Sequence, residues 1–171
     1  HRDLHSFPTR RSSDLLSRRF VPVSLRQAVE RVLRAYEPLA EAQRLRIRTA
    51  FPAADLQVLG LEELVVELLG NLLDNAVRHT PGGGTIQIDL AELPGGDASV
   101  AVVDGGPGIP PDYAQTIFER FVQVPGSKTG TTGLGLSLAA EIAHLHGGKL
   151  ELANPGQPGA RFECRLPRAR P

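Results

Sequence analysis

Glu67-Leu-Leu-Gly-Asn-Leu-Leu-Asp-Asn-Ala-Val-Arg-His-Thr-Pro81 is the stretch whose reading decides the fold. Leu64, Leu68, Leu69, Leu72, Leu73, Ala76 and Val77 recur at helical spacing, which predicts a helix of about four turns. Pro81 and the glycines Gly82, Gly83 and Gly84 end it. Asn71 and Asn75 are four apart and share one face. A buried amide without a partner costs roughly a few kcal/mol, so an amide pair is an unexpected choice in so apolar a helix. Two readings are open: a pair of satisfied core amides, or a polar stripe that faces a ligand while the leucines face a sheet.

The chain has 171 residues, enough for one domain with a sizeable core. Basic and acidic residues number 19 each, so the formal net charge is zero and no polyanion-binding surface is implied; nucleic acid is not an expected partner. The lone cysteine, Cys164, excludes a disulfide framework and a zinc set. Its place in the alternating run Arg161-Phe-Glu-Cys-Arg-Leu166 makes it a packed strand residue. No apolar run reaches the roughly 18 residues a membrane span needs, and no secretory signal is visible.

The opening fifteen residues stand apart. His1-Arg-Asp-Leu4 starts like the catalytic loop of a protein kinase, but Pro8 occupies the position where that pattern needs Asn. The string resembles the in-frame translation of a common sequencing-library adapter. Residues 1–15 are therefore expected to be an artefact outside the fold, with the true N-terminal region missing. They hold three arginines and two aspartates, so the remainder carries one net negative charge. Residues 16–23 read as a linker, residues 24–167 as the domain and residues 168–171 as a polar tail.

Residues 24–43 form an amphipathic helix with Ser24 as N-cap and a kink or break near Tyr36 caused by Pro38. Residues 44–51 alternate basic with apolar and read as an edge strand, and residues 56–59 as a short strand. After the amide-bearing helix, residues 85–90 and 98–103 predict a hairpin. Residues 111–132 hold one short helical piece, residues 114–121, and a polar loop of a length that marks a functional lid or disorder. A third long helix opens at Gly133-Leu-Gly135, runs to about His146, and is capped by Gly147 and Gly148 at positive φ. Residues 149–152 and 161–166 close the fold as another hairpin. The fold class is α+β: a two-layer sandwich of about three helices over a mixed, mostly antiparallel sheet. The strand order is not readable.

Two further stretches bear on the open question. Asp104-Gly-Gly-Pro-Gly-Ile109 follows directly on a strand. A buried Asp104 would need a donor such as an exocyclic amine, and Gly106 and Gly108 permit close backbone approach; a surface turn is the alternative. Thr129-Gly-Thr-Thr-Gly-Leu-Gly-Leu136 places glycines at a helix start, where free N–H groups and the dipole meet an anion. It is neither a P-loop nor a dinucleotide fingerprint.

Taken in order, these stretches resemble the catalytic, ATP-binding domain of bacterial sensor histidine kinases, over about residues 20–167. The resemblance is to the N box (Asn71, Asn75), G1 box (Asp104, Gly106, Gly108), F box (Phe118, Phe121) and G2 box (Gly133, Gly135). It implies the two-layer ATP-binding fold of that family, with ATP and Mg2+ as cofactors. Asp104 would hold the adenine amine, Asn75 would be the Mg2+ ligand, and Asn71 would lie beside the triphosphate. Arg78 would reach the phosphates, so that Asn71, Asn75 and Arg78 form the catalytic set. His79 stands where many relatives carry Tyr. Gly106, Gly108, Ile109, Phe118, Thr132, Gly133, Leu134, Gly135 and Leu136 complete the nucleotide site. Residues 111–132 would be a lid pinned by Phe118 and Phe121.

Three positions depart from the pattern: Gly105 where Asn is usual, Thr131 where Gly is more common, and Leu61 in place of a frequent acid. The same fold resembles gyrase-type, mismatch-repair and heat-shock ATPases, in which a Glu at the Asn71 position activates water. An amide cannot accept a proton at neutral pH, so Asn71 argues for phosphoryl transfer to a histidine and against hydrolysis. None of His79, His144 and His146 sits in a phosphoacceptor context. The resemblance therefore implies a missing dimerisation and phosphoacceptor domain, a homodimer in the intact protein, and a response regulator as partner. It also implies a cytoplasmic location beneath an inner-membrane sensor whose spans lie elsewhere. The alternatives are a hydrolytic ATPase of the same fold or a nucleotide-sensing docking module.

Overall fold

The computed structural model describes residues 10–127 and 133–170. The elements run α1 (Arg10–Ser17), β1 (Val21–Ser24), α2 (Leu25–Ala42), β2 (Arg46–Ala50), β3 (Gln57–Gly60), α3 (Glu62–His79), β4 (Thr85–Glu92), β5 (Ala98–Val103), α4 (Gly135–Leu145), β6 (Lys149–Leu152) and β7 (Arg161–Leu166). A five-stranded sheet has the order β2-β4-β5-β7-β6. Only its β2–β4 pair is parallel, and β2 is an edge, as its alternating basic pattern predicts.

Strict alternation gives this sheet one dry face and one wet face. Ile86, Ile88 and Leu90 of β4, Val100 and Val102 of β5, and Phe162, Cys164 and Leu166 of β7 are buried beneath α2, α3 and α4. The opposite face carries charge. Arg161 of β7 pairs with Asp89 of β4 at 3.2 Å and with Glu163 at 3.6 Å. The intervening strand β5 sets Ala101 opposite both Asp89 and Glu163, a side chain small enough for these long groups to meet above it. Cys164 faces the core, where burial pushes its thiol up to about 12. The two-layer α+β architecture thus follows the sequence pattern.

The leucine stripe of α3 packs Val65, Leu68, Leu69, Leu72, Leu73, Ala76 and Val77 into the core. Glu62 and Glu63 lie in its first turn and Arg78 and His79 in its last, matching the helix dipole. Leu61 supplies no side-chain cap; its N–H instead donates to Nε2 of buried His146 at 3.3 Å. The other His146 nitrogen donates to the Ile142 carbonyl at 2.7 Å, and the Phe20 ring stacks on the imidazole at 4.8 Å.

Several expectations are corrected in detail. Pro38 does not break α2, which is continuous from Leu25 to Ala42. Pro38 lies on the exposed side of the helix, where the carbonyl it leaves unpaired can meet water. Ser24 caps this helix as expected, accepting from the Gln27 N–H at 3.2 Å. The helical piece expected at residues 114–121 is two separate 3-10 turns, Pro111–Tyr113 and Thr116–Phe118. Glu119 is extended and Phe121 takes φ 65°, so the helix cannot propagate. The segment read as a linker contains β1, which pairs antiparallel with β3 in a separate two-stranded sheet. Arg168, read as tail, bridges to Val58, and the Ala169 N–H donates to the Gln57 carbonyl at 2.8 Å. Of the two glycines after α4, Gly147 alone has positive φ, at 75°. Residues 10–15 lie within α1, none of whose described side chains, from Ser13 to Ser17, is in the buried core.

Leu72 is fully buried, so Leu72→Ala leaves a cavity between α3 and the sheet. Urea denaturation should show a loss of about 2–5 kcal/mol.

Candidate functional site

Where α3 faces away from the sheet, a cavity of about 350 Å³ opens between it, the turn after β5, residues 122–127 and the start of α4. Asn71 and Asn75 both line it, so the polar stripe faces the cavity while the leucines face the sheet. The Asn71 Nδ2 is buried and has no hydrogen-bond partner among the described residues. A donor left so inside a protein costs free energy that a ligand acceptor would recover. A Cβ on Gly135 would stand 3.6 Å from the Asn71 Oδ1, which sets this amide against the first residue of α4.

One helical turn on, Arg78 and His79 also line the cavity. His79 Nδ1 is 2.8 Å from the Asn75 carbonyl oxygen. A carbonyl only accepts, so Nδ1 carries a proton and donates to it. The Arg78 Nε donates to Asp74 Oδ2 at 2.7 Å, an ion pair that holds its protonated form more firmly than usual. Asp74, absent from the sequence-derived set, is itself on the cavity wall.

Asp104 marks the other end. It follows β5 directly and is 6% exposed. Its Oδ1 accepts two backbone N–H groups, from Gly106 at 2.8 Å and Ala160 at 3.1 Å. Burial raises its pKa above the ordinary carboxylate value, and these two hydrogen bonds oppose the shift. The glycines have a definite cause here. A Cβ at Gly106 would lie 2.6 Å from the His79 carbonyl oxygen, and Gly108 combines φ 84° with a backbone pressed on Gln157. Thr80 secures the turn from α3: its hydroxyl donates to the Ala76 carbonyl at 2.7 Å and accepts from the Gly105 N–H at 3.0 Å.

Ile109, Gly133, Leu134, Gly135 and Leu136 line the cavity. α4 starts there, and among the described residues no side chain caps its first N–H groups, the kind of helix end that suits an anion. Thr132, with Thr129 and Thr131, lies outside the described residues. The two F-box phenylalanines sit differently. The Phe118 ring packs edge-on against Phe162 at 5.9 Å, and the cavity wall takes its neighbour Ile117 instead. The Phe121 side chain is 72% exposed. It is its backbone that counts, since the Phe121 N–H donates to the Gly133 carbonyl at 3.0 Å and so joins the two ends of the loop. Thr80 and Ala160 were not found from sequence. Thr80 offered a signal, a hydroxyl between an apolar helix and a proline; Ala160 offered none.

Residues 60–170 match the family described as histidine kinase-, DNA gyrase B- and HSP90-like ATPases, and the chain belongs to it. It is 43% identical over 145 residues to the alginate biosynthesis sensor protein KinB of Pseudomonas aeruginosa, covering 84% of this chain and 23% of that protein. It superposes on the catalytic domain of histidine kinase ThkA with a TM-score of 0.77 at 28% identity, covering 87% of this chain and 95% of the other. A structure of ThkA in complex with response regulator protein TrrA gives a TM-score of 0.75 at 25% identity, over 88% of this chain and 42% of that one. Within the family the chain is an ATP-binding catalytic domain of the sensor histidine kinase kind. It spans only 10% to 38% of the length of the first curated relatives it matches. Among the described residues no helix is long and apolar enough to cross a membrane.

The raised Asp104 pKa has a measurable consequence. The folded chain binds the Asp104 proton more tightly than the unfolded chain does, so this group's contribution to stability falls as pH rises from the ordinary carboxylate pKa through the raised one. Asp104→Asn should therefore melt at or above the unmutated chain at neutral pH. In thermal scans across pH, that advantage should shrink on acidification.

Proposed function

We propose that this chain binds Mg-ATP in the α3–α4 cavity and donates the γ-phosphoryl group to a histidine on a separate phosphoacceptor domain. The adenine amine would donate to the Asp104 carboxylate, and Ile109 and Ile117 would cover the base. The phosphates would lie between the α3 amides and the start of α4, with Asn71 Nδ2 as donor and Arg78 supplying positive charge. Backbone N–H groups of residues 133–136 would complete the cradle. Bound Mg2+ would neutralise phosphate charge. Asn75 offers it a hard oxygen, and among the described residues no group of three or more His, Cys, Asp or Glu could hold a metal. That donor set suits an ion held mainly by phosphates and water.

The observation that carries transfer over hydrolysis concerns the carboxylates on the cavity wall, Asp74 and Asp104. Asp74 is bound by Arg78 and by the Tyr36 hydroxyl, and Asp104 is held by backbone N–H groups at the far end. The amide at Asn71 cannot act as a base. Neither carboxylate is free to activate water, whereas an imidazole nucleophile needs no such help, so that catalysis rests on positioning and charge neutralisation. His146 is not a phosphoacceptor: it is buried, with both ring nitrogens bonded. The intact protein would be a homodimer that phosphorylates a response regulator, and would place this domain on the cytoplasmic side of a membrane sensor.

Calorimetric titration with Mg2+ and a non-hydrolysable ATP analogue tests the reading. The unmutated chain should bind, and Asn75→Ala and Asp104→Ala should each weaken binding by about tenfold or more. With radiolabelled ATP the chain alone should acquire no stable phosphate. Steady release of phosphate by the chain alone would establish a hydrolase instead, and absence of binding would favour a docking module.

A further inference from the structure

Asp74 is an unexpected residue on the wall of a site for a polyanion. Its charge repels phosphate, and nothing in the apolar patterning of α3 requires it. Both of its oxygens are engaged, and by different elements. Oδ2 accepts from Arg78 Nε at 2.7 Å, one helical turn away. Oδ1 accepts from the Tyr36 hydroxyl of α2 at 3.3 Å. Burial and the Asp74 charge both raise the Tyr36 pKa, which keeps its proton available to donate. The Asp74–Arg78 pair is well exposed, with side chains 39% and 46% accessible, and pairs so placed add little to stability.

What such a pair can do is restrict the arginine. A long guanidinium side chain has many rotamers, and each must be given up when it binds an anion. Gripping Arg78 by Nε fixes the plane of the guanidinium. Tyr36 in turn stops the Asp74 carboxylate from following the arginine as it moves. We propose that Asp74, braced by the Tyr36 hydroxyl, is a positioning residue that holds Arg78 in place at the phosphate end of the cavity. The inference rests on the ATP-binding reading above, and it adds α2 to the elements that set phosphate affinity.

The competing view, that Asp74 is only a repulsive neighbour, predicts the opposite sign. The full chain and its variants would be titrated with Mg2+ and a non-hydrolysable ATP analogue by calorimetry, and with adenosine by chemical-shift changes. Asp74→Ala should weaken the analogue about fivefold to tenfold and Tyr36→Phe about twofold to threefold, with adenosine binding unchanged. Asp74→Glu, which keeps a carboxylate four residues before Arg78, should retain most of the affinity. In an Arg78→Ala background, Asp74→Ala should have no further effect. Equal or tighter analogue binding by Asp74→Ala overturns the proposal. So does a matching loss for adenosine, or an additive loss in the double variant. If the unmutated chain binds neither ligand, the ATP reading fails and this inference fails with it.

Discussion

The structure depends on α3 satisfying two opposed demands along one helix. One side must be apolar enough to seal the sheet, and the other must present amides that the sheet cannot satisfy. The helical period permits both, because residues 71, 75 and 78 fall on a different side from residues 65, 68, 72 and 76. A helix buried so firmly cannot rotate to hide its amides. Asn71 Nδ2 therefore has no partner among the described residues, and the core itself keeps this amide turned to the cavity.

The same logic fixes the far end of the cavity. The inward residues of β5 are even-numbered, and the chain leaves the strand with Asp104 next in that series. Its carboxylate thus enters low-dielectric surroundings by register alone. The backbone N–H groups of Gly106 and Ala160 then hold one oxygen, so that the carboxylate has a fixed orientation before any ligand arrives. Thr80 ties this turn to the end of α3, so the two halves of the site share one rigid frame.

Legibility in the sequence followed the range of the interaction concerned. The leucine stripe of α3, the alternation of β4, β5 and β7, and the Ser24 cap are local patterns, and each was readable. The boxes were readable because glycines and polar residues interrupt those patterns at characteristic places. Contacts between distant segments left no such trace. Ala160 holds Asp104 with a backbone N–H that any residue but proline possesses. The strand β1 is four residues with an exposed proline, and it exists through its partner β3. Phe121 was readable as an F-box aromatic, but its positive φ turns the ring outward and leaves the backbone to close the loop.

The bond between Leu61 and His146 bears on how the domain is assembled during synthesis. The N–H that begins α3 is accepted by a side chain 85 residues further along the chain. The central strand β5 likewise waits for β7, the last strand to be made, and β2 is parallel to a strand that follows α3. Closing such large loops costs entropy before any contact compensates, so the contacts that complete this sheet come at a high entropic cost. A growing chain on the ribosome can form the α3 helix early, but its leucine face stays uncovered until the sheet is complete. The asparagines on the opposite side leave that helix a polar face that water can wet while the rest of the domain is made.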